Sequence, residues 1–365
     1  MKRRAFLKGA AVAAPAAVIS APAISQGLRE WRMVTSWPKG LPGSGTGAER
    51  LAERITKMSD GRLTVKVYAA GELVPATGVF DAVADGTAQL GHDTPTYNTG
   101  KSEGTAFFSA FPWGMTAGEL NAWIKHGNGQ KLWDELYKPF GLRAFLAGNS
   151  GTQMFGWFKK EIRSIADLQG LKYRTTGNNF RVLRKLGATP VSLPGGDIFP
   201  ALQAGAIDGA EYVGPYNDLS LGLYQVCKYY YSHGYQEPGA SEELLVNEAA
   251  WSGLPNDLKE IVKVAAAAAN DDIEAEFNAF SGPALRTLVQ EHGVQLRPLP
   301  EDVLMALGEK SNEVLNELYE EGNPLMKRII EDWLKFRSDI IPWTRVGEQT
   351  FVNARRLPFE FRLNG

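Results

Sequence analysis

The chain has 365 residues, 39 Lys and Arg against 41 Asp and Glu, and a formal net charge of −2. It lacks the basic excess that a phosphate backbone demands, which counts against nucleic acid as a partner. The single cysteine, Cys227, excludes an internal disulfide, so stability must come from core packing, and at this length the core is expected to divide between two lobes.

The amino terminus, MKRRAFLKGAAVAAPAAVISAPAISQ, sets paired Arg3 and Arg4 ahead of a short alanine-rich stretch. It reads as a twin-arginine signal peptide over residues 1–26. Its apolar part is shorter than the about 20 residues a membrane span needs, so a periplasmic mature chain is expected, an uncleaved anchor being the rival reading. Loss of Lys2, Arg3, Arg4 and Lys8 moves the formal charge to −6, with 35 basic residues against 41 acidic.

Early segments alternate strand and helix. EWRMVTSW reads as a strand, AERLAERITKM carries Ala48, Leu51, Ala52, Ile55 and Met58 at helical spacing, and RLTVKVYA turns Leu63, Val65 and Val67 to one face. A helix over 75–85, a strand over 88–93, a helix over 116–137 and a strand over 142–146 follow, a βαβ opening to a parallel sheet. QMFGWF places Gln153, Phe155 and Trp157 on one face of a strand by its period of two. Next come a strand over 171–174, a helix over 178–186, a strand over 189–193, a helix over 197–204 and a strand over 207–212. CKYYYSH and SEELLVN read as strands running back toward the first lobe, with Cys227 a buried strand residue. Long helical regions over 255–292 and 300–341 close the chain. The second carries an apolar stripe of Val303, Leu307, Val314, Leu318, Leu325, Ile329 and Trp333, suited to brace the lobes or meet a second copy.

Arg174, at the end of its strand, would present a guanidinium to the cleft of an α/β sheet, where its planar fork can grip a carboxylate. A structural ion pair with Asp208 is an equally good reading of the same residue. Asn178 stands where a helix cap is expected and would open a helix amino terminus toward the same anion. Glu211 would repel a bound carboxylate unless a hard cation intervenes. Glu211, the Gln153 amide oxygen, the Tyr212 carbonyl and the ligand's own oxygens would form an all-oxygen shell suited to Na⁺ or Ca²⁺. Glu237 is a further oxygen donor, and Tyr97, Trp113, Phe155 and Trp157 could line an apolar side of the pocket, although such aromatics also serve as plain core. The loop GSGTGA at 43–48 matches G-x-G-x-x-A, the pattern of a dinucleotide fold or of a tight turn at a cleft edge. His92, His126, His233 and His292 are scattered, which suits core or surface roles.

The stretch from 173 to 212, with its run LGATPVSLPGGDIFPALQAGAIDGAEY, resembles the solute-binding proteins of tripartite ATP-independent periplasmic (TRAP) transporters, the DctP family. The likeness extends over nearly all of the chain after the leader. It implies a two-lobed, periplasmic-binding-protein-like α/β fold with crossing strands and long C-terminal helices. Lobe I would be built from 27–150 with parts of 235–365, lobe II from 151–234 with adjoining segments, and 300–342 would form a bracing or dimerisation region. The resemblance makes Arg174 the holder of an organic acid's carboxylate, assisted by Asn178. It leans toward the 2-oxo acid and lactate branch, the TakP-like proteins, in which a cation bridges protein and ligand; Glu211 and Gln153 stand at the matching places. Many other members carry Gln-Glu-Asn-Pro where this chain has Ala210-Glu211-Tyr212-Val213, a departure that favours the metal-bridged branch. The implied protein is no enzyme. It captures a small 2-oxo or 2-hydroxy monocarboxylate such as pyruvate with Na⁺, or alternatively Ca²⁺, and serves TRAP membrane subunits. It would be a homodimer through about 324–342. Two alternatives stand beside it: a metal-independent receptor for a C4-dicarboxylate or sugar acid, and an exported dinucleotide-dependent oxidoreductase.

Overall fold

A computed structural model describes residues 27–359, and the expected leader over 1–26 lies outside them. In chain order the strands are β1 (Arg29–Thr35), β2 (Leu63–Tyr68), β3 (Leu90–Asp93), β4 (Leu142–Asn149), β5 (Gly156–Phe158), β6 (Lys172–Arg174), β7 (Thr189–Val191), β8 (Gly209–Ala210), β9 (Tyr229–Tyr231), β10 (Ser241–Asn247) and β11 (Gln295–Arg297). They form two sheets, ordered β2-β1-β3-β10-β4 and β11-β9-β5-β8-β6-β7. The first begins as the expected parallel βαβ unit: β1 pairs parallel with β2 and β3, with Met33 opposite Leu90. The Ser44–Met58 helix between β1 and β2 buries Ala48, Leu51, Ala52 and Ile55 of the predicted stripe, while Met58, in its last turn, is exposed.

The chain passes between the sheets three times: once through the long helical stretch that leads from β10 to β11, and through two short crossings, from β4 to β5 over 150–155 and from β9 to β10 over 232–240. The two short crossings lie side by side. Ser150 donates its N–H to the Ala240 carbonyl at 2.9 Å, and Gln153 donates to the Glu237 carbonyl at 3.1 Å. Gly234 sits so close to the Gln153 backbone that a Cβ there would stand 1.9 Å from its carbonyl oxygen. β10 returns to the first sheet antiparallel to both β3 and β4, which is the crossing-strand architecture expected.

Several local expectations are corrected. Gln153, Phe155 and Trp157 do not share a face, because the strand starts only at Gly156, whose φ of 127° rotates the chain between them. Phe155 stacks with Phe158 and Tyr173, whereas Trp157 stacks with Tyr230 in the other core. Cys227 is buried, but it precedes β9 instead of lying in it. The helix expected over 116–137 is two, Ala117–His126 and Gly129–Tyr137. The region over 300–341 is likewise two helices, Glu301–Glu321 and Pro324–Thr344. Gly322-Asn323-Pro324 is the break: Asn323 caps the second helix by accepting from the Met326 N–H at 2.9 Å, and Pro at the first helical position cannot continue the preceding one.

The G-x-G-x-x-A loop is explained by packing. A Cβ at Gly43 would stand 2.5 Å from the Phe277 ring and one at Gly47 2.4 Å from Ile273, so these glycines let the Ser44–Met58 helix press against the 35-residue helix Asn256–Gln290. Arg50 reinforces the contact through Asp272 at 2.8 Å and through Glu276. Gly43 and Gly47 therefore serve a helix–helix contact.

Gly156 concentrates the backbone demand of the junction between the 150–155 crossing and β5. A Cβ there would lie 2.4 Å from the Ala210 carbonyl oxygen, at a φ that side chains rarely adopt. Gly156→Ala is expected to lower the unfolding free energy in urea by about 3 kcal/mol. Gly118→Ala, inside a helix with nothing within 4 Å of the added carbon, is expected to raise it by about 0.5–1 kcal/mol.

Candidate functional site

Arg174 ends β6 and Glu211 follows β8, its parallel neighbour, so both project from carboxyl ends of strands toward the crevice between the sheets. Both are 1% exposed and form an ion pair, Nη1 to Oε1, at 2.9 Å. Asp208, the rival partner, instead accepts from the Lys172 N–H at 3.0 Å. Arg174 is held further by Nε donating to the Leu193 carbonyl at 2.9 Å and Nη1 to the Glu211 carbonyl at 2.8 Å. Only Nη2 is spare, its one contact being the Tyr97 hydroxyl at 3.5 Å. The fork is thus half used by the protein, and the grip offered to a ligand comes from Nη2.

Burial opposes the Arg174 charge, yet the Glu211 carboxylate beside it raises the guanidinium's proton affinity. Burial also pushes the Glu211 carboxyl up, to about 8, against the pull of Arg174. The two shifts conflict, since one needs an ionised Glu211 and the other favours a neutral one. The 2.9 Å contact and the permanence of the arginine charge favour the ionised pair.

Two adjoining cavities open beside this pair. The inner one, about 30 Å³, is lined by Arg174, Gln153, Thr176, Tyr212, Glu237 and Tyr97, with Trp37, Ser44, Ser150 and Glu242 among the rest. The outer one, about 420 Å³, shares Thr96, Tyr97 and Thr176 with it and adds Asn178, Arg181 and Glu103. Gln153 and Glu237 come from the two paired crossings. Gln153 Nε2 donates to the Ser150 hydroxyl at 3.1 Å, leaving its Oε1 buried without a partner. Glu237 accepts from the Thr176 hydroxyl at 2.7 Å, and burial pushes its carboxyl up.

The sequence-predicted residues therefore divide. Arg174, Gln153, Tyr97, Tyr212 and Glu237 meet at the inner cavity. Glu211 is paired with Arg174 and is not among the residues lining either cavity, although its Oε2 is buried and unpartnered. Asn178 lines the outer cavity but makes no side-chain cap, its helix starting at Asn179. Its Nδ2 is buried without a partner. Phe155 is fully buried core, and Trp113, packed on Tyr235 and 38% exposed, stands away from both cavities. Trp157 is also core. Thr176 and Glu242 are site residues that pattern reasoning missed. Consecutive glutamates inside the otherwise apolar SEELLVN were the available signal for Glu242.

Among the described residues no three His, Cys, Asp or Glu side chains cluster to hold a metal. Gln153 Oε1 and Glu237, both hard oxygens at one small cavity, nevertheless fit Na⁺ or Ca²⁺, provided ligand and carbonyl oxygens complete the shell. Glu242, also at this cavity, is pushed from 4.5 to about 8 by burial. Below pH 4.5 it is protonated both folded and unfolded. Between 4.5 and about 8 only the unfolded chain releases the proton, so stability falls as pH rises through this window. Glu242→Gln is expected to flatten that slope in chemical-unfolding measurements from pH 5 to 8.

Residues 34–322 match the family of bacterial extracellular solute-binding proteins, family 7. The chain is 41% identical over 361 residues, 97% of it and 98% of the relative, to the monocarboxylate 2-oxoacid-binding periplasmic protein of Nostoc sp.. A TRAP transporter solute-binding protein of Bordetella bronchiseptica, solved as a mixed-occupancy dimer with calcium and picolinate in one active site, shares its fold at a TM-score of 0.88 and 38% identity, covering 90% of this chain and 97% of that one. A TRAP periplasmic solute-binding protein of Pseudoalteromonas atlantica with bound sodium and pyruvate matches at 0.87 and 35%, covering 91% and 100%. Among the described residues no helix is long and apolar enough to cross a membrane. The chain belongs to the family 7 extracellular solute-binding proteins, the periplasmic receptors of TRAP transporters.

Proposed function

We propose that the chain captures a small 2-oxo monocarboxylate, pyruvate or a near relative, together with a hard cation, and delivers it to TRAP membrane subunits. The observation that carries this reading is the meeting of a spare arginine nitrogen with unpartnered hard oxygens at one buried cavity. Arg174 Nη2 grips the ligand carboxylate. Gln153 and Glu237 hold the cation, which supplies the positive charge that lets acid and carboxylate share the site; the Tyr212 carbonyl is a further donor. Glu211, expected as a cation ligand, orients the guanidinium through Oε1 and keeps its buried, unpartnered Oε2 as a further donor for the cation. Asn178 and Tyr97 face the ligand from the outer side. The names of the relatives above 35% identity favour a monocarboxylate over a dicarboxylate or a sugar acid.

Calorimetry is expected to show pyruvate binding in Na⁺ or Ca²⁺ buffer and a large loss of affinity once both cations are removed. Arg174→Ala is expected to weaken binding at least about 30-fold, since loss of one partner of a buried charge pair costs about 2–5 kcal/mol. No heat from any 2-oxo or 2-hydroxy monocarboxylate in either salt would reject the proposal.

A second copy of this chain is the proposed partner of the carboxyl-terminal segment. The expected stripe on the Pro324–Thr344 helix is covered by the chain itself, with Met326, Ile329, Ile330 and Trp333 buried and Trp333 set against Phe107 and Phe111. The uncovered apolar surface lies further on, in Trp343, Val346, Phe351 and Leu357, each more than 60% exposed. This is large apolar area for a surface helix to leave in water. Light scattering of the full chain is expected to give a dimer at micromolar concentration, and truncation after Ile341 a monomer. A monomeric full chain would remove the proposal.

A further inference from the structure

Glu242 lines the inner cavity from the first sheet, opposite Arg174 from the second. It is 4% exposed. Oε1 accepts from the Ser44 hydroxyl, and Oε2 is buried with no hydrogen-bond partner. Among the described residues no lysine or arginine forms an ion pair with it. His92 Nε2 stands 3.7 Å from Oε2. Its Nδ1 accepts from the Trp37 indole at 2.7 Å, leaving Nε2 to donate to the Ala147 carbonyl at 3.2 Å. Burial holds His92 neutral, its pKa pushed down to about 4.

The backbone makes a seat for this carboxyl. A register shift between Glu242 and Glu243 interrupts the β10–β4 pairing. Glu243 then turns to Asn98 and Tyr137 on the opposite side of the sheet. Across from Glu242, Gly148 leaves open the space where a Cβ would stand 2.5 Å from Oε2. Leaving a buried oxygen without a partner is unfavourable, and a seat built around it at a ligand cavity points to a partner that arrives with the ligand.

We propose that Glu242 is a recognition residue whose free carboxyl oxygen hydrogen-bonds the oxygen on carbon 2 of the bound acid, so that acids lacking that oxygen are rejected. This rests on the monocarboxylate reading above. As a neutral acid, the state burial favours for it, Glu242 donates Oε2–H to a 2-oxo oxygen. With a 2-hydroxy acid the hydroxyl and carboxyl can exchange donor and acceptor roles. A ligand without either group would leave Oε2 buried and bare, and sites built to bond a ligand oxygen discriminate strongly against analogues that lack it.

The test compares the calorimetric affinities of pyruvate and propionate in Na⁺- and Ca²⁺-containing buffer. Wild type is expected to prefer pyruvate at least about 10-fold, Glu242→Leu to reduce the ratio below about 3-fold, and Glu242→Gln, which keeps an N–H donor, to retain most of it. Gly148→Ala, which crowds Oε2 without deleting it, reads the same ratio if the Leu variant does not fold. A ratio unchanged in Glu242→Leu, or in Gly148→Ala where that variant stands in, overturns the inference while the receptor reading stands. A wild type that binds neither acid nor any other 2-oxo or 2-hydroxy monocarboxylate overturns both.

Discussion

A guanidinium that cannot lose its proton is buried at the meeting of two sheets, and the surrounding structure answers that constraint. Isolated, such a charge would cost several kcal/mol of solvation. Arg174 is instead bonded on two of its three nitrogens, to the Leu193 carbonyl and to both the carbonyl and carboxylate of Glu211. Tyr212 adds its ring face, with the guanidinium carbon 5.7 Å from the ring centre. These contacts fix one orientation, with Nη2 toward the cavity. The protein leaves the last part of the solvation to whatever enters, which is how a charge becomes a binding site and not only a structural pair.

The remaining polar groups follow from the same sign logic. Nearby carboxyls, Glu211, Glu237 and Glu242, outnumber the single arginine, and burial raises the proton affinity of all three. An anionic ligand alone would deepen the imbalance. A cation held, as proposed, by Gln153 and Glu237 would relieve it, and a neutral Glu242 would relieve it further, so that the ligand carboxylate would need no second arginine. The relatives that carry sodium or calcium beside a small acid are the arrangement this balance favours.

Much of this was legible in the sequence. Arg174, Glu211 and Tyr212 could be placed because strand ends in an α/β order point to one crevice, and that inference needs only element order. Gln153 and Glu237 could be named as oxygen donors, but their pairing could not, since 84 residues separate the two crossings that carry them. A period of two puts Phe155 and Trp157 on one face, and the sequence does not reveal that the glycine between them adopts a φ of 127°. Asn178 and Asn179 are indistinguishable as cap candidates in sequence. The structure sends Asn179 inward, to Thr175 and the Tyr235 hydroxyl, and turns Asn178 to the outer cavity. Glu242 stayed hidden for a similar reason, as a register shift in β10 decides which of two adjacent glutamates meets the cavity.

Placement of Gln153 and Glu237 on the crossings has a mechanical consequence. Hinge motion between two packed units is absorbed by the few residues that connect them, and here those residues include the proposed cation ligands, joined to each other by the Gln153 N–H and the Glu237 carbonyl. Any rotation of one sheet against the other must alter the spacing of Gln153 and Glu237 from Arg174 and Thr176, which ride on the second sheet's β6 and the turn after it. Glu242, on the first sheet, moves the opposite way. A ligand touching Arg174, the cation and Glu242 together, as proposed, would therefore favour whichever arrangement of the sheets brings all three within reach. That differential contact is what a population shift toward closure requires. Occupancy and closure would then be one equilibrium, read by the membrane subunits through the shape of the receptor and not through the acid itself.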